Sequence, residues 1–230
     1  MTQPKPASSN PLALLGLDSE DMFAKGGFGV VFSRAGVGKT AFLVQLAINA
    51  MAAGKRALHI SLNDPVSKIN LWYKEVSGNA AGSFIDMTGD DLFETIQSRR
   101  FIMTFKPEEF GAAKLEERVA ELADQNIFSP DIIAIDGVRF DEGADGLLSD
   151  LKAVSEKRRV PMWLTMRTHR QESGDKSQAL KPFSDFAHLF DVAVQLYPEG
   201  KNIIVRRVKG GDGVQALLDP ATMLVKKADR

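Results

Sequence analysis

Apolar residues arrive along this chain in short runs whose spacing switches between strand and helix. Phe28 to Phe32, admitted by Lys25-Gly26-Gly27, is a continuous apolar and glycine run that reads as a buried strand. Phe42, Leu43, Leu46, Ala47 and Ala50 then form the broad face of a helix that stops near Gly54. Arg56 to Leu62 predicts a second buried strand, and Asn63-Asp64-Pro65 ends it and opens another helix with Pro65 in its first turn. A helix around Asp90 to Arg99, a strand at Phe101 to Phe105 and a helix marked by Leu115, Val119 and Leu122 follow. Asp131 to Asp136 runs four apolar residues into an aspartate, the pattern of a central parallel strand. A helix from Gly146 to Lys157 and a strand from Val160 to Thr165 continue the alternation, which predicts a parallel sheet covered on both faces.

The ends of the chain read differently. Met1 to Pro11 is polar and rich in Pro and Ser, a disordered leader, and Leu12 to Phe23 predicts a short helix. Arg167 to Pro182 is long, polar and glycine-containing, the composition of a mobile loop. Asp191 to Leu196 and Asn202 to Val208 flank Tyr197-Pro198-Glu199-Gly200 as the strands of a hairpin. Gly210 to Gly213 predicts a turn, and Met223 to Val225 an edge strand before a basic Lys226-Lys227 tail.

Candidate chemistry concentrates where the first strand meets the first helix. Ser33-Arg34-Ala35-Gly36-Val37-Gly38-Lys39-Thr40 fits GxxxxGK(S/T) except that Ser33 stands at the first position. Gly36 and Gly38 let backbone N–H groups curl inward, and the following helix adds its positive end. The phosphate cradle is expected to run from Ser33 through Ala41. Lys39 would bridge β- and γ-phosphates, and the Thr40 hydroxyl would hold magnesium. An ordinary strand-to-helix turn that happens to contain GKT is the alternative, and the strand before and helix after argue against it. Asp136, at the end of its strand, either orders the same magnesium ion or caps the turn before Gly137. Pairing with the GKT turn favours the metal.

Composition narrows the rest. A chain of 230 residues, 44% hydrophobic and 26% charged, fits one globular α/β domain, taken as residues 12–230. A net charge of -1 gives no general attraction to nucleic acid or anionic membrane, so such a partner would need a local patch. The absence of cysteine excludes disulfides and thiolate chemistry, and His59, His169 and His188 are scattered rather than spaced as ligands. No apolar run approaches the ~20 residues that span a bilayer, and a cytoplasmic location is expected.

From about Gly29 to Leu218 the chain resembles the RecA-like ATPase domain of hexameric replicative helicases of the DnaB type, and more broadly the KaiC and RecA group. SRAGVGKTAF resembles the helicase P-loop, KRALHISLND its second strand and DIIAIDGV its metal-ordering strand. LLSDLKAVSEKRRVPMWLTMRTHR resembles the next helix and strand, and KPFSDFAHLFDVAVQLY and VRRVKGGDG the approach to the terminal hairpin. The resemblance implies a RecA-like P-loop NTPase: a mostly parallel central sheet with helices on both faces and a C-terminal β-hairpin. It also implies ATP and Mg²⁺ as ligands and assembly into a homo-oligomeric ring or filament.

Three departures qualify the implied activity. Where that family places its catalytic glutamate this chain has Asn63, whose neutral amide orients water without accepting a proton. Loss of a general base costs ~10²–10⁴-fold, so a turnover of ~10 s⁻¹ would fall to roughly one event per ten seconds to tens of minutes. Asp64 is the neighbouring substitute, or simply helps to start the next helix. Arg167 falls at a sensor position near the γ-phosphate, as a direct positive charge or as an exposed loop residue. The family's lysine and arginine that reach a neighbouring subunit's nucleotide fall on Arg206 and Val208 here, with Arg207 and Lys209 as flanking substitutes or as parts of a solvated basic strand. The expected function is an oligomeric, ATP–Mg²⁺-binding switch with slow or impaired hydrolysis and a possible protein partner. An active ATPase on single-stranded DNA and a small-molecule kinase are the alternatives.

Overall fold

Strand β1 (Phe28–Ser33) lies between two parallel neighbours, β5 (Met162–Arg167) and β6 (Val192–Glu199), and all six of its residues are buried. The computed structural model describes residues 10–17, 26–81, 88–141, 143–168, 182–211 and 214–228. With β2 (Ala57–Ser61), β3 (Arg100–Thr104), β4 (Ile132–Asp136), β7 (Asn202–Lys209), β8 (Gln215–Leu218) and β9 (Val225–Lys227), these strands form one nine-stranded sheet. Its order is β3-β2-β4-β5-β1-β6-β7-β8-β9. The half from β3 to β6 is parallel, and β6 to β9 is an antiparallel meander.

Strand side chains alternate between two cores. On one face Val31, Ala134 and Trp163 meet helices α1 (Pro11–Leu14), α2 (Lys39–Ala52), α3 (Val66–Ala80) and α4 (Gly89–Gln97). On the other, Val30, Phe32, Ile133, Ile135 and Leu164 meet α5 (Ala112–Asp124), α6 (Ala144–Arg158) and α7 (Phe183–Phe186). Helix α2 buries Phe42, Leu43, Leu46 and Ile48, and each such side chain contributes about 1.5–3 kcal/mol by leaving water. Beside it on β1, Gly29 leaves room for the Trp163 ring, which a Cβ there would approach to 2.7 Å.

The expected α/β architecture and C-terminal hairpin are both present, with changes at boundaries. Strand β5 begins at Met162 rather than Val160 because Val160 still closes the end of α6, its N–H donating to Ser155 O at 3.1 Å. The helix expected over Leu12 to Phe23 is a single turn at Pro11–Leu14, and residues 18–25 lie outside the described residues. So do most of the expected leader (1–9), the expected loop from 169 to 181 and part of the Gly210 to Gly213 turn.

The edge strand is a correction. It is β9 at Val225–Lys227, which includes the expected basic tail, and a further strand, β8, precedes it. Met223 has φ +57, a left-handed backbone that cannot continue a strand. It belongs instead to a turn held by buried Gln45 of α2, whose side-chain amide donates to Met223 O and accepts Val225 N–H at 3.0 Å. Leu218 of β8 is thereby laid over the start of α2, where a Cβ on Gly38 would come within 2.6 Å of its Cδ2.

Candidate functional site

Four parallel strands bring their last residues to one edge of the sheet: Ser33 of β1, Ser61 of β2, Asp136 of β4 and Arg167 of β5. The register sets Ser33 beside Arg167 and Ser61 beside Asp136. Open α/β sheets hold ligands at this carboxyl end. A cleft of about 520 Å³ opens here, lined by Ala35, Lys39, Asn63, Asp136, Gly137, Val138, Arg139, Phe140, Asp141, Thr165 and Arg167.

The glycine-rich turn forms one wall. Gly36 and Gly38 adopt φ +75 and +108, a region that favours glycine. Gly38 is also the N-cap of α2, and no side chain caps that helix start. The first-turn N–H groups therefore lack the side-chain partner that Thr88 gives α4, and they form a ready anion cradle. Of the expected cradle residues, Val37 and Ala41 turn their side chains into the core and can offer only backbone. Arg34, Ala35 and Gly36 are exposed at the rim.

Lys39 reaches back over this turn. Its amine donates to Arg34 O at 2.8 Å, Ser33 O at 3.1 Å and Ser33 Oγ at 3.3 Å. Burial brings its pKa down to about 8; the Asp136 charge opposes this shift and Arg167 adds to it.

Across the cleft, Asp136 receives a hydroxyl on each carboxylate oxygen: Thr40 donates to Oδ2 and Thr165 to Oδ1, both at 2.6 Å. Thr165 also accepts the Gly137 N–H at 3.0 Å, which fixes the start of the loop after β4. Thr40 and Asp136 thus present adjacent hard oxygen donors. Among the described residues no three His, Cys, Asp or Glu side chains gather to enclose an ion. A hydroxyl and one carboxylate fit magnesium that keeps phosphate and water ligands rather than an ion caged by protein alone.

The remaining expected residues divide into those inside the cleft and those outside it. Asn63 lines the cleft, with its amide packed against Gly137. Asp64 does not line it, and its carboxylate accepts Lys68 Nζ at 2.9 Å, an i,i+4 pair on α3 and its entry. Arg167 lines the cleft. The candidates for reaching a neighbour are each engaged within this chain: Arg206 donates to Gln195 Oε1 at 2.8 Å, Arg207 to Gly16 O at 3.0 Å, and Lys209 to Ala187 O at 2.7 Å. Arg207 is only 7% exposed, so it belongs to the interior rather than to a solvated basic strand.

Sequence reasoning missed Thr165, Arg139 and Asp141. Thr165 carried a signal in principle, as a hydroxyl residue at the end of a predicted strand. Arg139 and Asp141 follow the metal-strand aspartate by three and five positions, but only the folded loop shows that they line the cleft.

No family model matches this sequence, and no curated protein matches it. Among solved structures the chain is similar to the ATPase domain of a DnaB-like helicase, at 16% identity over 90% of this chain and 86% of that one, with a TM-score of 0.66. The chain has the fold of a RecA-like ATPase domain, and that similarity concerns the fold alone. Among the described residues no helix is long and apolar enough to cross a membrane.

Proposed function

We propose that this chain is an ATP–Mg²⁺-binding switch that hydrolyses slowly, if at all, and responds to nucleotide as a homo-oligomer that engages a protein partner. The observation that carries this reading is the contrast within one cleft. The binding parts stand together: uncapped N–H groups at Gly38, the Lys39 amine, and Asp136 held by Thr40 and Thr165. The position that would supply a base is the amide of Asn63, while Asp64 is turned to Lys68.

Each residue then has a defined task. The turn 33–40 wraps the phosphates with backbone N–H groups and Lys39 neutralises them. Thr40 and Asp136 would hold magnesium, which when bound neutralises the phosphate oxygens. Thr165 keeps the Asp136 carboxylate oriented. Asn63 orients a water without removing its proton, so the chemical step lacks its acceptor.

Single-turnover hydrolysis with excess protein and Mg²⁺, against Lys39→Ala, tests this directly. Retained but slowly cleaved ATP is the expected result, and rapid turnover would overturn the impaired reading. Sedimentation with and without nucleotide checks assembly.

One observation favours a second reading, an ATPase acting on single-stranded DNA. Tyr197 is 45% exposed and the Arg206 guanidinium lies 5.5 Å from its ring centre, an aromatic and cationic pairing suited to base stacking. Stimulation of hydrolysis by single-stranded DNA, lost in Tyr197→Ala, would establish it.

A further inference from the structure

Two arginines enter the cleft from opposite walls. Arg167 ends β5 in register with Ser33, at the mouth of the glycine-rich turn. Arg139 comes from the loop after β4, three residues beyond Asp136, and that loop is anchored by the bond between Gly137 N–H and Thr165. Both side chains are exposed, and neither has a hydrogen-bond or ion-pair partner among the described residues. With Lys39 they make three cations facing two carboxylates, and one of these, Asp136, is already engaged by two hydroxyls. Such a cleft is short of negative charge at its open end.

The residues expected to reach into a neighbour's site are, by contrast, occupied at home: Arg206 by Gln195, Arg207 by Gly16 and Lys209 by Ala187. Releasing any of them would break a bond within the chain. Arg139 and Arg167 require no such release.

We propose that Arg139 and Arg167 read the terminal phosphate of a nucleoside triphosphate in cis, so that one chain distinguishes triphosphate from diphosphate without a side chain from a neighbour. This rests on the nucleotide-binding reading above. A guanidinium suits the role because its planar fork pairs two donors with phosphate oxygens and it stays charged at all working pH values. Arg167 approaches the phosphate from the Lys39 side and Arg139 from the Asp136 side. Two directed cations at the γ-position discriminate where backbone N–H groups, which serve every phosphate alike, do not.

The test compares binding of a non-hydrolysable ATP analogue with binding of ADP, each with Mg²⁺, at protein concentrations where sedimentation shows a monomer. The variants are Arg139→Gln, Arg167→Gln, the double variant and Arg206→Gln, with Arg139→Lys to retain charge. A charge-assisted hydrogen bond is worth about 1.5–3 kcal/mol, so each cleft variant is expected to reduce the triphosphate preference about tenfold or more while ADP affinity stays unchanged. Arg139→Lys keeps part of the preference, and Arg206→Gln keeps all of it. Equal ratios in wild type and both cleft variants would overturn the proposal, as would a triphosphate preference that appears only in oligomers or is lost in Arg206→Gln. A wild-type chain that binds neither nucleotide would instead remove the nucleotide reading, and this inference with it.

Discussion

The amide of Asn63 fills the space that a Cβ on Gly137 would require, so the residue after β2 and the residue after β4 share one wall of the cleft. Position 63 is therefore placed beside Asp136 whatever its chemistry. Only its proton-accepting ability is missing. Asn63→Glu is expected to raise single-turnover hydrolysis by ~10²-fold or more, because a positioned general base contributes ~10²–10⁴-fold. An unchanged rate, with ATP still bound, would mean that hydrolysis is limited elsewhere.

Lys39 should make nucleotide affinity depend on alkaline pH. Its amine has a pKa of about 8 in the free protein, lowered first by burial, and phosphate favours the charged form. Affinity for ADP is expected to be flat below about pH 8 and then to fall by up to tenfold per unit as the ammonium is lost. Lys39→Arg, charged throughout, should show no such fall. Calorimetric titrations from pH 7 to 10 would reveal the difference, and a flat wild-type profile would contradict it.

The acid side should be governed in part by His59. Fully buried on β2 with Nδ1 3.1 Å from the Tyr73 hydroxyl, it is held to a pKa of about 4, chiefly by burial, with Asp136 opposing and Arg100 assisting. The unfolded chain takes up this proton near pH 6.5, whereas the native chain does not. The stability present above that range is therefore lost as pH falls from about 6.5 toward 4. Urea midpoints at pH 7 and pH 4.5 should converge for His59→Gln more than for wild type.

Gln45→Ala removes the donor to Met223 O and the acceptor for Val225 N–H inside a buried seam. Leaving such groups unsatisfied costs about 1–3 kcal/mol. For a domain of this size the melting temperature should drop by about 2–4 °C per kcal/mol. Hydrogen exchange is expected to accelerate first in β8 and β9, and uniform acceleration across the sheet would argue against a local role.

What was legible from sequence was whatever local periodicity and turn chemistry decide. Phe28 to Phe32, the α2 face and the run into Asp136 each carry their pattern within a few residues, so the parallel half of the sheet and the phosphate turn could be read. Strand β8 is only four residues long, between a glycine-rich turn and Asp219, and no alternation announces it. Met223 read as strand because nothing near it shows that Gln45, 178 positions earlier, bends the backbone there. Thr165 and Arg139 were missed for the same reason, since their roles come from the register of β4 with β5 and from a folded loop. Arg207 read as a solvated cation until the fold placed Gly16, 191 positions away, against it.

Gly38 answers to two masters, the left-handed turn it makes and the Leu218 side chain resting where its Cβ would be. A descendant of this chain that had abandoned nucleotide altogether would still be confined to glycine at this position by the weight of its own C-terminal strands. Persistence of that glycine is a record of architecture as much as of ligand use, and Lys39, which bears no such second duty in the core, is the better witness to whether the site is still in service.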